Sequence, residues 1–119
     1  MARILLAEDD DQMRAFLARG LRRAGHTVDP FGDGEAALAR AAGIEYDLLL
    51  ADVVMPGIDG IELARRLAVR QPGIRVMFIT GFAAVALQDD RLAPDRPRIL
   101  AKPFHLRHLL AEIEALLSQ

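Results

Sequence analysis

The stretch YDLLLADVV, Tyr46 to Val54, constrains this chain most. Apolar residues fill both alternating sets of positions in its centre, so a strand built from it must be covered on two faces. A parallel sheet with helices above and below is the usual arrangement that does this. One carboxylate, Asp52, interrupts the apolar part. No helix cap is needed until several residues later, and an unpaired charge in an apolar setting is costly, so Asp52 requires a partner.

Other apolar runs alternate with segments of helical period. RILLA (Arg3 to Ala7) precedes DQMRAFLARGLRRAG (Asp11 to Gly25), in which Met13, Phe16, Leu17 and Leu21 recur at helical spacing and Gly25 is a stop. HTVDPF (His26 to Phe31) is a short strand. Asp33 then caps GEAALARAA, with Ala37, Leu38 and Ala41 facing inward. After the turn cluster MPGIDG, IELARRLAVRQ (Ile61 to Gln71) sets Ile61, Ala64, Leu67 and Ala68 on one side, with Asp59 near its start. RVMFIT (Arg75 to Thr80) and RIL (Arg98 to Leu100) are the fourth and fifth strands, and HLRHLLAEIEALL (His105 to Leu117) is a closing helix. Between those strands, Phe82 to Leu92 fits a helix with Ala83, Ala86 and Leu87 inward, while Pro94 and Pro97 make the remainder a loop. Strands alternating with helices imply right-handed βαβ units, hence an α/β fold with a doubly wound parallel sheet and helices on both faces.

Such sheets bind ligands beyond the carboxyl ends of their strands. At those ends the sequence places Glu8, Asp9, Asp10 and Asp11 after the first strand, Asp52 in the third, Thr80 after the fourth and Lys102 after the fifth. Asp10 and Asp11 read as a helix cap and a solvated first turn. Glu8, Asp9 and Asp52 would bring carboxylates together, an environment suited to a hard cation such as Mg²⁺. Lys102 would balance the remaining negative charge, and the Thr80 hydroxyl would donate to an incoming anionic oxygen. Phosphoryl transfer to a carboxylate needs these parts, and the central strand makes Asp52 the nucleophile.

Composition removes other classes. There is no cysteine, which excludes disulfides, thiolate catalysis and Cys-ligated metals. The 119 residues are the size of one domain, and a net charge of -2 without a dominant basic stripe gives no footing for nucleic acid. The start, MARILLAEDD, has neither a signal-peptide core nor a membrane span, so a cytoplasmic location is expected. His105 and His108 lack a third metal ligand and read as surface histidines. Arg19, Arg22 and Arg23 form a small basic cluster on the first helix; Arg91, Arg96 and Arg98 are expected to be solvent exposed.

Taken together, ILLAEDD, DLLLADVVMPGIDG, FITGFA and AKPF, in this order and at these spacings, resemble the receiver domain of two-component response regulators. The resemblance covers essentially the whole chain. It implies a flavodoxin-like receiver fold with strand order 2-1-3-4-5 and a cis Lys102–Pro103 bond. It also implies Asp52 as phosphoacceptor, Mg²⁺ held by Glu8, Asp9, Asp52 and the Val54 main-chain carbonyl, Thr80 as switch hydroxyl, and Lys102 against the phosphoryl group. The phosphodonor would be a histidine kinase or histidine phosphotransferase, and the domain would catalyse its own phosphorylation and a slow dephosphorylation. Output would pass to a protein bound on the face of the fourth helix, fifth strand and last helix, which includes Ala83, Ala86, Ile99, His105 and His108. More narrowly, the motifs resemble single-domain members that govern delivery of substrates to the ClpXP protease, which would make ClpX or an adaptor the partner. The chain ends just after the last helix, so no output domain is expected.

Two departures stand out. Ile99 occupies a position that is commonly aromatic in receivers, and the residues two after Asp52 and two after Thr80 are Val54 and Phe82, neither able to orient a water. A receiver belonging to a hybrid histidine kinase or longer regulator, an Mg²⁺-dependent phosphohydrolase and a non-phosphorylated binding module are the alternatives.

Overall fold

The computed structural model describes residues 1–82, 86, 88–92 and 97–119. In chain order its elements are β1 (Arg3–Ala7), α1 (Asp11–Arg23), β2 (Thr27–Phe31), α2 (Gly34–Arg40), β3 (Leu48–Asp52), α3 (Gly60–Arg70), β4 (Arg75–Thr80), β5 (Arg98–Ala101) and α4 (Leu106–Leu117), with short 3₁₀ turns at Ala41–Gly43 and Asp90–Leu92. Of the helix expected over Phe82 to Leu92, Ala83 and Leu87 lie outside the described residues, as do Pro94 and Arg96 in the expected loop.

Three helices start where an aspartate side chain accepts the N–H three residues on: Asp10 from Met13 at 2.8 Å, Asp33 from Ala36 at 2.7 Å and Asp59 from Glu62 at 2.8 Å. Each satisfies one of the four donors that a helix leaves open at its start. All strands are parallel, in the order β2-β1-β3-β4-β5. That is the doubly wound sheet which the sequence pattern and the resemblance imply.

The alternation along β3 divides the core. Leu48 and Leu50 face one side, together with Ile4, Leu6, Met77 and Ile79, under Leu17 and Leu21 of α1 and Leu109 and Ile113 of α4. Leu49 and Ala51 face the other side with Leu5 and Phe78, under Ala37 of α2 and Ile61, Leu63 and Leu67 of α3. Each fully buried leucine or isoleucine is worth about 1.5–3 kcal/mol of transfer free energy, so the sheet is clamped from both faces.

Two residues that spacing groups with a helix's apolar face lie outside it. Phe16 is 46% exposed, because the inner face of α1 runs through Leu17, Ala18, Gly20 and Leu21. The small Gly20 lets α4 approach closely: a Cβ there would lie 2.7 Å from Leu106. Phe16 is turned to the flank. On α3, Ala68 is exposed and Leu63 is buried instead, since the buried stripe follows Gly60, Ile61, Leu63 and Leu67.

Candidate functional site

Register brings the polar strand ends to one edge. Ala7 pairs with Ala51, so Glu8 follows at the level of Asp52; Thr80 pairs with Ala101, so Lys102 stands just beyond it. The Lys102 N–H donates to the Thr80 carbonyl at 2.9 Å, extending the β4–β5 ladder by one bond. The Lys102–Pro103 peptide is cis.

Glu8 is completely buried. Its own N–H donates to the Phe31 carbonyl at 3.0 Å, its carbonyl accepts from Arg14 Nη1 at 2.9 Å, and its Oε2 accepts from the Asp10 N–H at 3.0 Å. Asp52 is also buried, and its Oδ1 accepts from the Val54 N–H at 3.1 Å. That turn ends β3 and swings the Val54 side chain outward. Lys102 joins the two carboxylates: Nζ donates to Asp52 Oδ2 at 2.7 Å and to Glu8 Oε1 at 2.9 Å. One carboxylate oxygen from each of Glu8, Asp9 and Asp52 lies within 4.8 Å of the others. Asp9, unlike Glu8, is exposed. Thr80 is buried, and its hydroxyl oxygen accepts from the Phe82 N–H at 3.1 Å.

The electrostatics follow from this enclosure. Burial pushes the Glu8 carboxyl above its ordinary value, and the charge of Asp52 adds to it, against the pull of the bonds from Lys102 and Asp10. Burial alone would lower the Lys102 ammonium, but its hydrogen bonds to Asp52 and Glu8 and their charges hold it above the usual lysine value. The result is a strand-edge cluster of three carboxylates and one amine held protonated. Oxygen-only donors at this spacing are the chemistry of a hard divalent cation: Mg²⁺ with oxygens at about 2.1 Å separates opposite ligands by about 4.2 Å. The donor set fits such an ion.

Exposed apolar side chains stand beside these polar groups. Val54 is 52% exposed and Phe82 60% exposed, while Phe16 lines a shallow hollow with Asp10, Gln12, Met13 and Lys102. Ile99 is half-buried, pairs with Phe78 across β4 and β5, and packs against the core on the α3 side of the sheet. His105, His108, Arg19, Arg22 and Arg23 are exposed, as expected. Arg98 is half-buried and paired with Glu112 at 3.2 Å.

Several contacts leave no signal in the sequence. Arg91 binds both Asp59 and Asp89; Gln71 holds the loop before β3 through Tyr46, Ala41 and Ile44; and Tyr46 donates to Asp29 at 2.5 Å. His26 is buried, with Nδ1 accepting from the Ala2 N–H at 3.1 Å. All of these join residues distant in the chain or in irregular segments, so periodicity carries no signal for them.

The family described as "Response regulator receiver domain" matches residues 4–114. The chain is 54% identical over 117 residues to "Response regulator receiver protein CpdR" of Brucella abortus (strain 2308), covering 98% of each. It spans 13–52% of the length of other curated relatives it matches. Among solved structures it is similar to the receiver domain of the hybrid histidine kinase CckA, with 35% identity, a TM-score of 0.83, and 97% of this chain and 98% of that one covered. It is also similar to the response regulator protein TrrA from Thermotoga maritima in complex with Mg²⁺-BeF, at 28% identity, a TM-score of 0.85, and 98% and 99% coverage. TrrA is likewise known in complex with the histidine kinase ThkA, where the similarity is 27% identity, a TM-score of 0.84 and 98% coverage of both chains.

Proposed function

The chain belongs to the response regulator receiver family, and from that premise we propose that Asp52 is its phosphoacceptor in a two-component system or phosphorelay. The observation that carries this reading is the Lys102 ammonium seated on Asp52 Oδ2 and Glu8 Oε1, one residue past the strand position that pairs with Thr80.

The donor is a phosphohistidine on a histidine kinase or histidine phosphotransferase. An Asp52 carboxylate oxygen forms the new P–O bond, the P–N bond breaks, and the imidazole nitrogen keeps the electron pair and takes a proton. Little covalent chemistry is asked of the protein, so positioning and charge do the catalysis. Lys102 donates to a phosphoryl oxygen. The Thr80 hydroxyl already accepts from Phe82 and still has its own proton to give. Glu8, Asp9, Asp52 and the Val54 carbonyl are the groups that would hold Mg²⁺, whose charge offsets that gathered on the transferring oxygens. The acyl phosphate adds charge and acceptor oxygens beside Thr80 and Lys102, which makes the modification a switch for protein binding.

For output we propose the face that includes Ile99, His105 and His108, with ClpX or an adaptor of that protease as the bound protein; Ala86, expected on this face from the sequence, is buried in the core against the α3 side of the sheet instead. What supports the reading is the resemblance of the sequence motifs to single-domain members that govern delivery to ClpXP, together with the end-to-end similarity to the receiver protein CpdR.

The test is treatment of the purified protein with acetyl phosphate and Mg²⁺, followed by intact mass. One phosphoryl addition in the wild type and none in Asp52→Ala is expected; no addition to the wild type would sink the reading. Capture of purified ClpX by the phosphorylated and unphosphorylated forms tests the output.

A further inference from the structure

We propose that Arg91 is a positioning residue for phosphoryl transfer at Asp52, acting through Asp59; this rests on the phosphoacceptor reading above. The segment from Val53 to Asp59 follows the nucleophile directly and includes the Val54 carbonyl assigned to the metal. Its inner side is held by burial of Val53 and Met55 and by the Gly60 N–H, which donates to the Val53 carbonyl at 2.9 Å. Its last residue, directly before Gly60, is Asp59, which caps α3 through the Glu62 N–H at 2.8 Å.

Arg91 fixes that end by two points. Nη1 donates to Asp59 Oδ1 at 3.0 Å and Nη2 to Oδ2 at 2.8 Å, a fork on a carboxylate that sets orientation as well as distance. The guanidinium is itself immobilised by Asp89, which accepts from Arg91 Nε at 3.0 Å and from Nη2 at 2.7 Å. Asp89 Oδ1 also accepts from the Arg91 backbone N–H at 2.9 Å. Burial would raise the Asp59 carboxyl, but the bonds from Arg91 and the Glu62 N–H hold it below its ordinary value, so the pair is charged on both sides at neutral pH.

Arg91 lies on the connection that leaves β4 directly after Thr80. It therefore ties the loop leaving the nucleophile to the connection leaving the switch threonine. Among the described residues no other hydrogen bond joins them. The Gly60 bond closes the loop on Val53, and the fork on Asp59, the residue before Gly60, adds a second tie at that closure; together they set where the intervening Val54 carbonyl stands. Groups behind the ligands of a metal site act in this way, and their loss weakens the metal.

The test is a calorimetric titration with Mg²⁺ of the wild type, Arg91→Ala, Arg91→Lys, Asp59→Asn and the Arg91→Ala/Asp59→Asn double variant, beside acetyl phosphate modification of each followed by mass. Asn caps a helix as well as Asp does, so Asp59→Asn removes the charged fork while keeping the cap. Arg91→Lys keeps the charge and loses the fork. Each single variant is expected to bind Mg²⁺ about tenfold more weakly. The double variant should bind no more weakly than the weaker single, and the extent of modification should recover at high Mg²⁺. Wild-type Mg²⁺ affinity in the folded single variants, or losses that add in the double, would overturn the proposal. If Arg91→Ala fails to fold, Arg91→Lys and Asp59→Asn decide it on the same criterion. If the wild type takes up no phosphoryl group, the phosphoacceptor reading fails and this inference with it, an outcome distinct from a modified wild type whose variants bind Mg²⁺ unchanged.

Discussion

Lys102 donates to Asp52 across 2.7 Å from a position 50 residues away in the chain. Because the same ammonium holds the fully buried Glu8, removing it leaves two carboxylates without their cation. Loss of one partner from a buried pair costs about 3–5 kcal/mol, and the partial exposure of Lys102 reduces this to about 1–3 kcal/mol. Lys102→Met is expected to melt lower, to recover part of the loss with added Mg²⁺, and to accept phosphoryl groups about 100-fold more slowly. Modification at the wild-type rate would remove the lysine from the reaction.

Glu8 has the opposite sign. Its folded carboxyl value is raised by burial, so the folded chain binds that proton more tightly than the unfolded chain does. The charged carboxylate then weighs against folding above the raised value, and the handicap vanishes as the pH falls below the ordinary carboxyl range. In the absence of Mg²⁺, Glu8→Gln should therefore melt above the wild type at about pH 8, with the gap closing toward about pH 4. A Gln variant that melts lower at the alkaline end contradicts this.

The exposed Val54 and Phe82 side chains flank the site and offer no group to orient a water. Spontaneous loss of phosphate is expected to be slow, and Val54→Asn to speed it about tenfold, less than the ~100-fold or more of a full general acid or base because an amide only orients the water. Radiolabel lost from the wild-type protein within seconds would refute the first statement, and an unchanged rate in the variant the second.

Tyr46 is the chain's single tyrosine and there is no tryptophan, so phenolate absorbance reads it alone. Burial, the hydrogen bond to Asp29 and the charge of Asp29 push it up to about 12. Its contribution to stability is present below the ordinary value near 10 and is lost as the pH rises through about 12. Absorbance titration should show the late midpoint in the wild type and an earlier one in Asp29→Asn. A wild-type midpoint at the ordinary phenol value would exclude the buried bond.

Gly60 approaches the nucleophile's own backbone: a Cβ there would stand 2.1 Å from the Asp52 carbonyl oxygen. Gly60→Ala must displace the loop or the strand end, and forced overpacking costs about 1–3 kcal/mol or more. Destabilisation together with slower phosphorylation is expected. Gly43→Ala, where a Cβ meets nothing within 4 Å, is the control and should behave as wild type. Equal melting temperatures for the two variants would show that the close approach is absent in solution.

Much of the fold is legible in the chain because the signals are local. The apolar run around Leu49 demands two covered faces, and the aspartates at 10, 33 and 59 mark helix starts through bonds only three residues long. The candidate site was legible for a related reason. In a parallel sheet every strand's carboxyl end reaches the same edge, so polar residues that close apolar runs are gathered whatever the details of packing. Helix faces are set less locally: Phe16 and Ala68 satisfy the period yet lie outside, since the face that is buried depends on how close a neighbouring helix can come.

The sequence by itself therefore determined the α/β class, the strand ends and the set Glu8, Asp9, Asp52, Thr80 and Lys102, all through short-range periodicity and termination. Tertiary structure alone decided that Glu8 is buried while its neighbour Asp9 is exposed, that one ammonium serves two carboxylates, and that Arg91 grips Asp59. Those outcomes depend on angles and distances between segments tens of residues apart. They are fixed only when the sheet and its covering helices pack together.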